Sequence, residues 1–262
     1  MIGFESIGNA TIICHDGEPV LATDPWTKGS AYFGSWGLPY EFPAEQLENI
    51  KKCKYIWLSH GHPDHINVES LDAFRDKNIL LAEHYGNRLQ NDLSVLGFEI
   101  SLLPERKWIR LSKHLKVLTV SDYYQDSILL INLNGRLLVN INDAANKGWG
   151  KFVRNITKEF ENPFLFKLFS YGDADMINYL KEDGTRILPR AALKKPVGEQ
   201  INFWSRFFGT KYIVPSSCFH RYQRKDSLWA NEYTTNVADY TRELSPEFEL
   251  LPAFIKYDLE SD

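Results

Sequence analysis

The sequence predicts an α/β protein in which two β-rich halves each carry helices, and three observations lead there. Short apolar runs of strand type alternate with amphipathic runs of helix type through the first hundred residues. A second group of apolar runs lies between Leu115 and Asn140, two of them joined by the tight-turn dipeptide Asn134-Gly135. No repeat and no low-complexity linker interrupts the 262 residues, so a single domain over 1–262 is expected.

The elements follow in order. Ile2–Phe4, Ala10–Cys14 and Pro19–Ala22 are β-rich runs, the last two separated by a His15-Asp16-Gly17 turn, which predicts antiparallel strands. From Asp24 to Phe42 the periodicity dissolves into a long loop rich in Trp, Tyr, Phe and Gly, and a loop of that length is usually functional. Pro43 opens a helix over Ala44–Lys52, acidic early and basic late, as the helix dipole favours. Tyr55–Leu58 is a buried strand that stops at Ser59-His60-Gly61-His62-Pro63-Asp64-His65. Asn67–Phe74 then suits a helix, Asn78–Ala82 a strand and Gly86–Gly97 a second helix. Leu115–Val120, Ser127–Asn132 and Arg136–Asn140 are strands, Asn162–Ser170 and Gly198–Phe208 helices, and Lys211–Val214 a strand stopped by Pro215.

Composition narrows the function. With 44% hydrophobic and 24% charged residues the chain can bury a substantial core, which excludes a disordered or fibrous protein. Thirty basic against 34 acidic side chains leave a net charge of −4, so neither nucleic acid nor an anionic membrane is an expected partner. Three cysteines without CxxC spacing argue against a disulfide framework or a zinc knuckle. The N-terminus lacks a basic start and an apolar run, and no segment reaches the ~18 apolar residues of a membrane span, so a cytoplasmic location is expected.

The strongest chemical signal is His60-Gly61-His62-Pro63-Asp64-His65, directly after a buried strand and before a helix. Three imidazoles and a carboxylate in six residues are costly to bury unpaired, whereas a loop at a strand end can aim them at a metal. On an extended turn His60 and His62 point one way and grip one ion. Asp64 and His65 point elsewhere and grip a second, the arrangement of two-metal hydrolytic sites. Four local groups cannot complete two coordination spheres, so further ligands must come from distant strand ends.

The motif resembles the HxHxDH signature of the metallo-β-lactamase superfamily. The resemblance implies an αββα sandwich, two mixed sheets flanked by helices, with a dinuclear centre at one edge. Asp24 matches the family's Asp at the end of the strand before the loop, and Asp143, after Leu137–Asn142, matches the carboxylate that bridges both metals. A histidine is expected near residues 120–127, where this chain has none. Asp122 is the replacement favoured over Asp126, and His114 lies too early. The resulting carboxylate-rich set moves preference from zinc toward iron or manganese. His220 corresponds to the last family histidine, as a second-site ligand or as a pocket residue. Asp24–Trp36 and Val214–Asn231 look most like the branch of CMP-N-acetylneuraminate hydroxylases and L-ascorbate-6-phosphate lactonase-like proteins, without the Cys pairs of an iron–sulfur domain.

The expected cofactor is therefore a pair of divalent ions, iron, zinc or manganese. The expected reaction is hydrolysis of an ester, thioester, lactone, amide or phosphodiester by a shared hydroxide, with Asp64 orienting it and His84 or Tyr123 stabilising the oxyanion. The alternative is a non-haem diiron oxygenase acting on a small or sugar-derived molecule. The expected partner is a small-molecule substrate, anionic if Arg221, Arg224 and Lys225 face the site. Trp26, Tyr32, Phe33 and Trp36 either wall a pocket or pack as core, and Asp173 and Asp175 form a late polar loop.

Overall fold

Two seven-stranded sheets face each other across an apolar core in the structure, a computed structural model that describes residues 1–145, 148–174 and 179–261. The first sheet runs in the order Ile255–Asp258, Ile2–Ile7, Thr11–Asp16, Glu18–Thr23, Tyr55–Trp57, Asn78–Ala82 and Glu99–Leu103. Its first four strands are antiparallel and the rest parallel. Parallel neighbours require crossovers. Helices α1 (Ala44–Lys52), α2 (Val68–Leu71, continued by a 3-10 turn) and α3 (Arg88–Val95) supply them.

The second sheet is ordered Glu249–Leu250, Tyr212–Ser216, Phe164–Leu168, Arg136–Asn142, Ser127–Leu133, Leu115–Ser121 and Ile109–Arg110. Helices α4 (Gly150–Thr157) and α5 (Val197–Phe208) cover its outer face. Phe4, Ile12, Trp57, Val117, Leu129 and Phe166 interdigitate between the sheets. Ile50, Leu71, Phe74 and Leu93 pack α1–α3 onto the first sheet. The layers are helix, sheet, sheet, helix, as the resemblance implied.

One expected element is of the other type. The run Asn162–Ser170 is not a helix: Phe164–Leu168 is a strand in parallel register between Arg136–Asn142 and Tyr212–Ser216. A central parallel strand is apolar on both faces, so it loses the alternation that marks a strand, and a short apolar run does not declare its period. Helix α4, just upstream, had no counterpart among the expected elements.

The aromatic loop is anchored by a small sheet of Ser30–Ala31, Trp36–Gly37 and Arg221–Tyr222. Trp26 and Trp36 are buried there with Tyr222 and Ala230, while Phe33 stands 97% exposed at the turn. Arg224 ion-pairs with Asp226 at 2.6 Å and donates to the Phe33 carbonyl at 3.2 Å, so it clamps the loop. Among the described residues no helix is long and apolar enough to cross a membrane.

Candidate metal centre

The centre lies where both sheets end on the same edge. Strand Tyr55–Trp57 delivers Ser59 and the histidine loop, which folds back through hydrogen bonds from the His65 and Ile66 N–H groups to the His62 carbonyl. Asn67 then starts α2 by accepting from the Ser70 N–H at 3.0 Å, which stops the loop and fixes its length. From the second sheet, strand Arg136–Asn142 delivers Asp143 after an irregularity in pairing at Asn140–Asn142.

Asp24 ties the two edges together. It is fully buried, with φ +39°, and its carboxylate accepts from the Ser59 N–H and Oγ at 2.8 Å and from Asn142 Nδ2 at 2.7 Å. The same carboxylate lies 3.1 Å from His65 Nδ1, which leaves Nε2 of that ring pointing at the centre. A carboxylate behind a histidine fixes tautomer and ring orientation for metal binding.

Asp143 divides its two oxygens. Oδ2 lies 3.6 Å from His60 Nε2 and 3.6 Å from His62 Nδ1, whereas Oδ1 lies 3.6 Å from His65 Nε2. His65 Nε2 is also 3.5 Å from Asp64 Oδ2. His65 Nε2 and Asp143 Oδ1 are buried, and neither has a hydrogen-bond partner. Two donors on one ion at a tetrahedral angle, each about 2.1 Å from it, stand roughly 3.4 Å apart. The spacing and the unmatched buried donors therefore fit a metal ion. His60 and His62 sit 2.7 Å apart at Nε2 and Nδ1, a hydrogen-bond distance, so sharing an ion requires the rings to part.

The electrostatics follow from this packing. Burial opposes the charge on Asp143, but the attraction of His65 and the close approach of His60 and His62 outweigh it and hold the carboxyl well below the usual range. Burial likewise opposes a charged His65, yet Asp64, Asp143 and Asp24 raise it well above the ordinary value. His62 is raised first by its approach to Asp143.

Asp64 is held from outside the motif. Asn9 Nδ2 donates to its Oδ2 at 2.8 Å, and the Tyr32 hydroxyl donates to Oδ1 at 3.0 Å. Asn9 is fixed in turn, accepting from the Phe219 N–H at 2.9 Å. Neither Asn9, Ser59 nor Asn142 was expected at the site. Asn9 follows Gly8 in an ordinary hairpin turn, and nothing local marks it.

Of the other expected residues, some join the centre and some do not. Asp126 approaches His60, with Oδ1 at 4.0 Å from Nε2, while Asp122 is buried with its Oδ2 unpartnered. Asp122 uses Oδ1 to accept from the Tyr124 and Asp126 N–H groups at 2.8 and 3.1 Å, which caps the turn that presents Asp126. Burial raises the Asp126 carboxyl. Tyr123 is 90% exposed and lines the groove that also borders His60, His62 and Asp126. His84 is buried with neither ring nitrogen partnered, and burial followed by the His60 charge lowers it.

His220 stacks on Trp36 at 3.5 Å between ring centroids, both nitrogens unpartnered, and burial pushes it down to about 3 against the pull of Asp143. Cys218 is bonded to the Tyr240 hydroxyl, and burial pushes its thiol up to about 12, which removes it as a nucleophile. Asp175 lies outside the described residues.

Comparison with known proteins agrees with the architecture. The chain has the metallo-β-lactamase fold. It superposes on the diiron β-hydroxylase CmlA of Streptomyces venezuelae with a TM-score of 0.62 and 14% identity, covering 98% of this chain and 54% of that one. An isothiocyanate hydrolase from Delia radicum gut bacteria gives a TM-score of 0.57 at 14% identity and 98% coverage of both chains. In sequence the chain is similar to cytidine monophosphate-N-acetylneuraminic acid hydroxylases, at 28% identity over 145 residues for Asterias rubens and 21% over 189 for Danio rerio. Those matches take in 52% and 66% of this chain but only 22% and 32% of the relatives. No family model matches the chain.

Proposed function

We propose that this chain is a metal-dependent enzyme whose two divalent ions serve hydrolysis of a small-molecule ester, thioester, lactone, amide or phosphodiester. The observation that carries the reading is the divided carboxylate of Asp143, one oxygen toward His60 and His62 and the other toward His65. His60, His62 and Asp126 would hold one ion, Asp64 and His65 the other, Asp143 both, with His220 as a further donor. Bound ions polarise the substrate and make water nucleophilic at neutral pH.

The chain's own residues do the rest. Asp64, fixed by Asn9 and Tyr32, orients the attacking water. Water's oxygen bonds to the electrophilic atom, the bond to the leaving atom breaks, and that atom takes the proton. His84, neutral by burial and unpartnered, hydrogen-bonds the substrate.

A second reading has a specific observation behind it. A carboxylate, Asp126, stands beside His60 where the family carries an imidazole, and oxygen ligands favour iron or manganese over zinc. A diiron oxygenase would need electrons from a partner or from its substrate. Metal analysis of protein purified without added metal, followed by anaerobic turnover with zinc or manganese, separates the two. Turnover without oxygen is expected. Strict dependence on iron and oxygen would overturn hydrolysis in favour of the oxygenase.

A further inference from the structure

A groove of 680 Å³ starts at the histidine loop and runs outward between α2 and α3. Its inner end is formed by His60, His62 and Asp126, so it is continuous with the candidate metal centre. Its floor is apolar: Ile66, Leu71, Leu89, Leu93 and Phe98, the upper surface of the core beneath the helices. The lip is apolar too, with Val68 61% and Leu96 45% exposed. Contiguous exposed apolar surface beside a buried polar centre marks a ligand groove, and the volume suits a small molecule.

The charges on the rim are already matched. Arg75 pairs with Asp72 at 2.7 Å and donates to the Leu96 carbonyl at 2.7 Å, and Arg88 lies 3.5 Å from Asp92. An anionic tail would have to compete with those carboxylates. A neutral alkyl or aryl tail would only displace water.

We propose that this groove receives the neutral, apolar part of the substrate, so that the enzyme acts on acyl or aralkyl compounds rather than on a nucleotide-linked sugar. The proposal rests on the metal-centre reading above, because it places the reacting group at His60, His62 and Asp126 and the tail between the helices.

The test is binding of a straight-chain hydroxamate series, from acetyl to octanoyl, to metal-loaded protein by calorimetry, with metal content measured for every sample. The hydroxamate head grips the ions and the chain samples the groove. Affinity is expected to rise about fourfold per methylene. Leu89→Glu, in the groove floor, should flatten the series while metal content stays unchanged. Phe203→Glu, on the outer face of α5, should leave the slope intact. Acetyl hydroxamate binding with no dependence on chain length would overturn the groove and leave the metal centre standing. Preference for cytidine monophosphate over octanoyl hydroxamate would overturn it in favour of a nucleotide. Failure of the native protein to retain metal would overturn both readings.

Discussion

Asp122 and Asp126 are separated by one turn, yet the structure gives them different work. Asp122 spends one oxygen on two backbone N–H groups, whereas Asp126 faces His60. Asp126→Asn is therefore expected to weaken metal binding by tenfold or more, in the range seen when a ligand or its support is lost. Asp122→Asn keeps an acceptor oxygen and should leave affinity nearly unchanged, while Asp122→Ala should cost about 1 kcal/mol of stability as the turn loses its cap. Metal titration and urea unfolding of the three variants check this, and equal metal loss in Asp122→Asn would reverse the assignment. The histidine loop itself was legible because its residues are consecutive and chemically extreme. Asn9 and Asn142 were not, and Tyr32 read only as pocket wall or core, since their role exists only once two hairpins and two sheets meet. The choice between Asp122 and Asp126 depends on which way the turn between them rolls, and spacing carries no information about that.

At the scale of elements, sequence served best where periodicity was unambiguous. Helix α1 falls on the expected residues, and Gly198–Phe208 differs from α5 by one residue. The strand Phe164–Leu168 carries no strand signature in the sequence, because both faces are buried and no alternation survives. What no pattern shows is the partner of an element. Gly198 at the start of α5 lies against the segment after the 3-10 turn Val237–Thr241, its N–H donating to the Arg242 carbonyl at 3.0 Å. A Cβ there would stand 2.3 Å from that oxygen and 2.4 Å from the Leu244 nitrogen, both backbone atoms that cannot swing aside. Gly198→Ala, favourable on helix propensity alone, is thus expected to destabilise by about 1–3 kcal/mol. A rise in melting temperature would show that the tail yields without cost.

For the whole molecule, the question is what holds the sandwich at the end far from the candidate metal centre. Asp16 closes the strand Thr11–Asp16 of the first sheet. It accepts from Ser112 Oγ at 2.5 Å, the His114 N–H at 2.8 Å and His114 Nδ1 at 2.6 Å, all just before a strand of the second sheet. Burial opposes its charge, but these bonds prevail and bring the carboxyl down to about 2. A carboxyl lowered in the folded state stabilises above the unfolded value near 4 and loses that contribution as pH falls toward 2. Asp16→Asn should accordingly cost about 2 kcal/mol at pH 6, with the gap to the native protein closing between pH 4 and pH 2. Urea unfolding across that range checks the sign, and a gap that widens in acid would refute it.

The pairing of Gly3–Ser6 with Ile255–Asp258 has a consequence for how the molecule is made. On a ribosome the strand Ile2–Ile7 is made some 250 residues before the strand that covers its outer edge. At roughly 5–20 residues per second that edge stays bare for on the order of 12 to 50 s of synthesis. Its backbone N–H and C=O groups are meanwhile open to any other nascent strand. Crowded polysomes are thus a setting in which this chain risks pairing with the wrong neighbour, and a chaperone that occupies Ile2–Ile7 would protect it there.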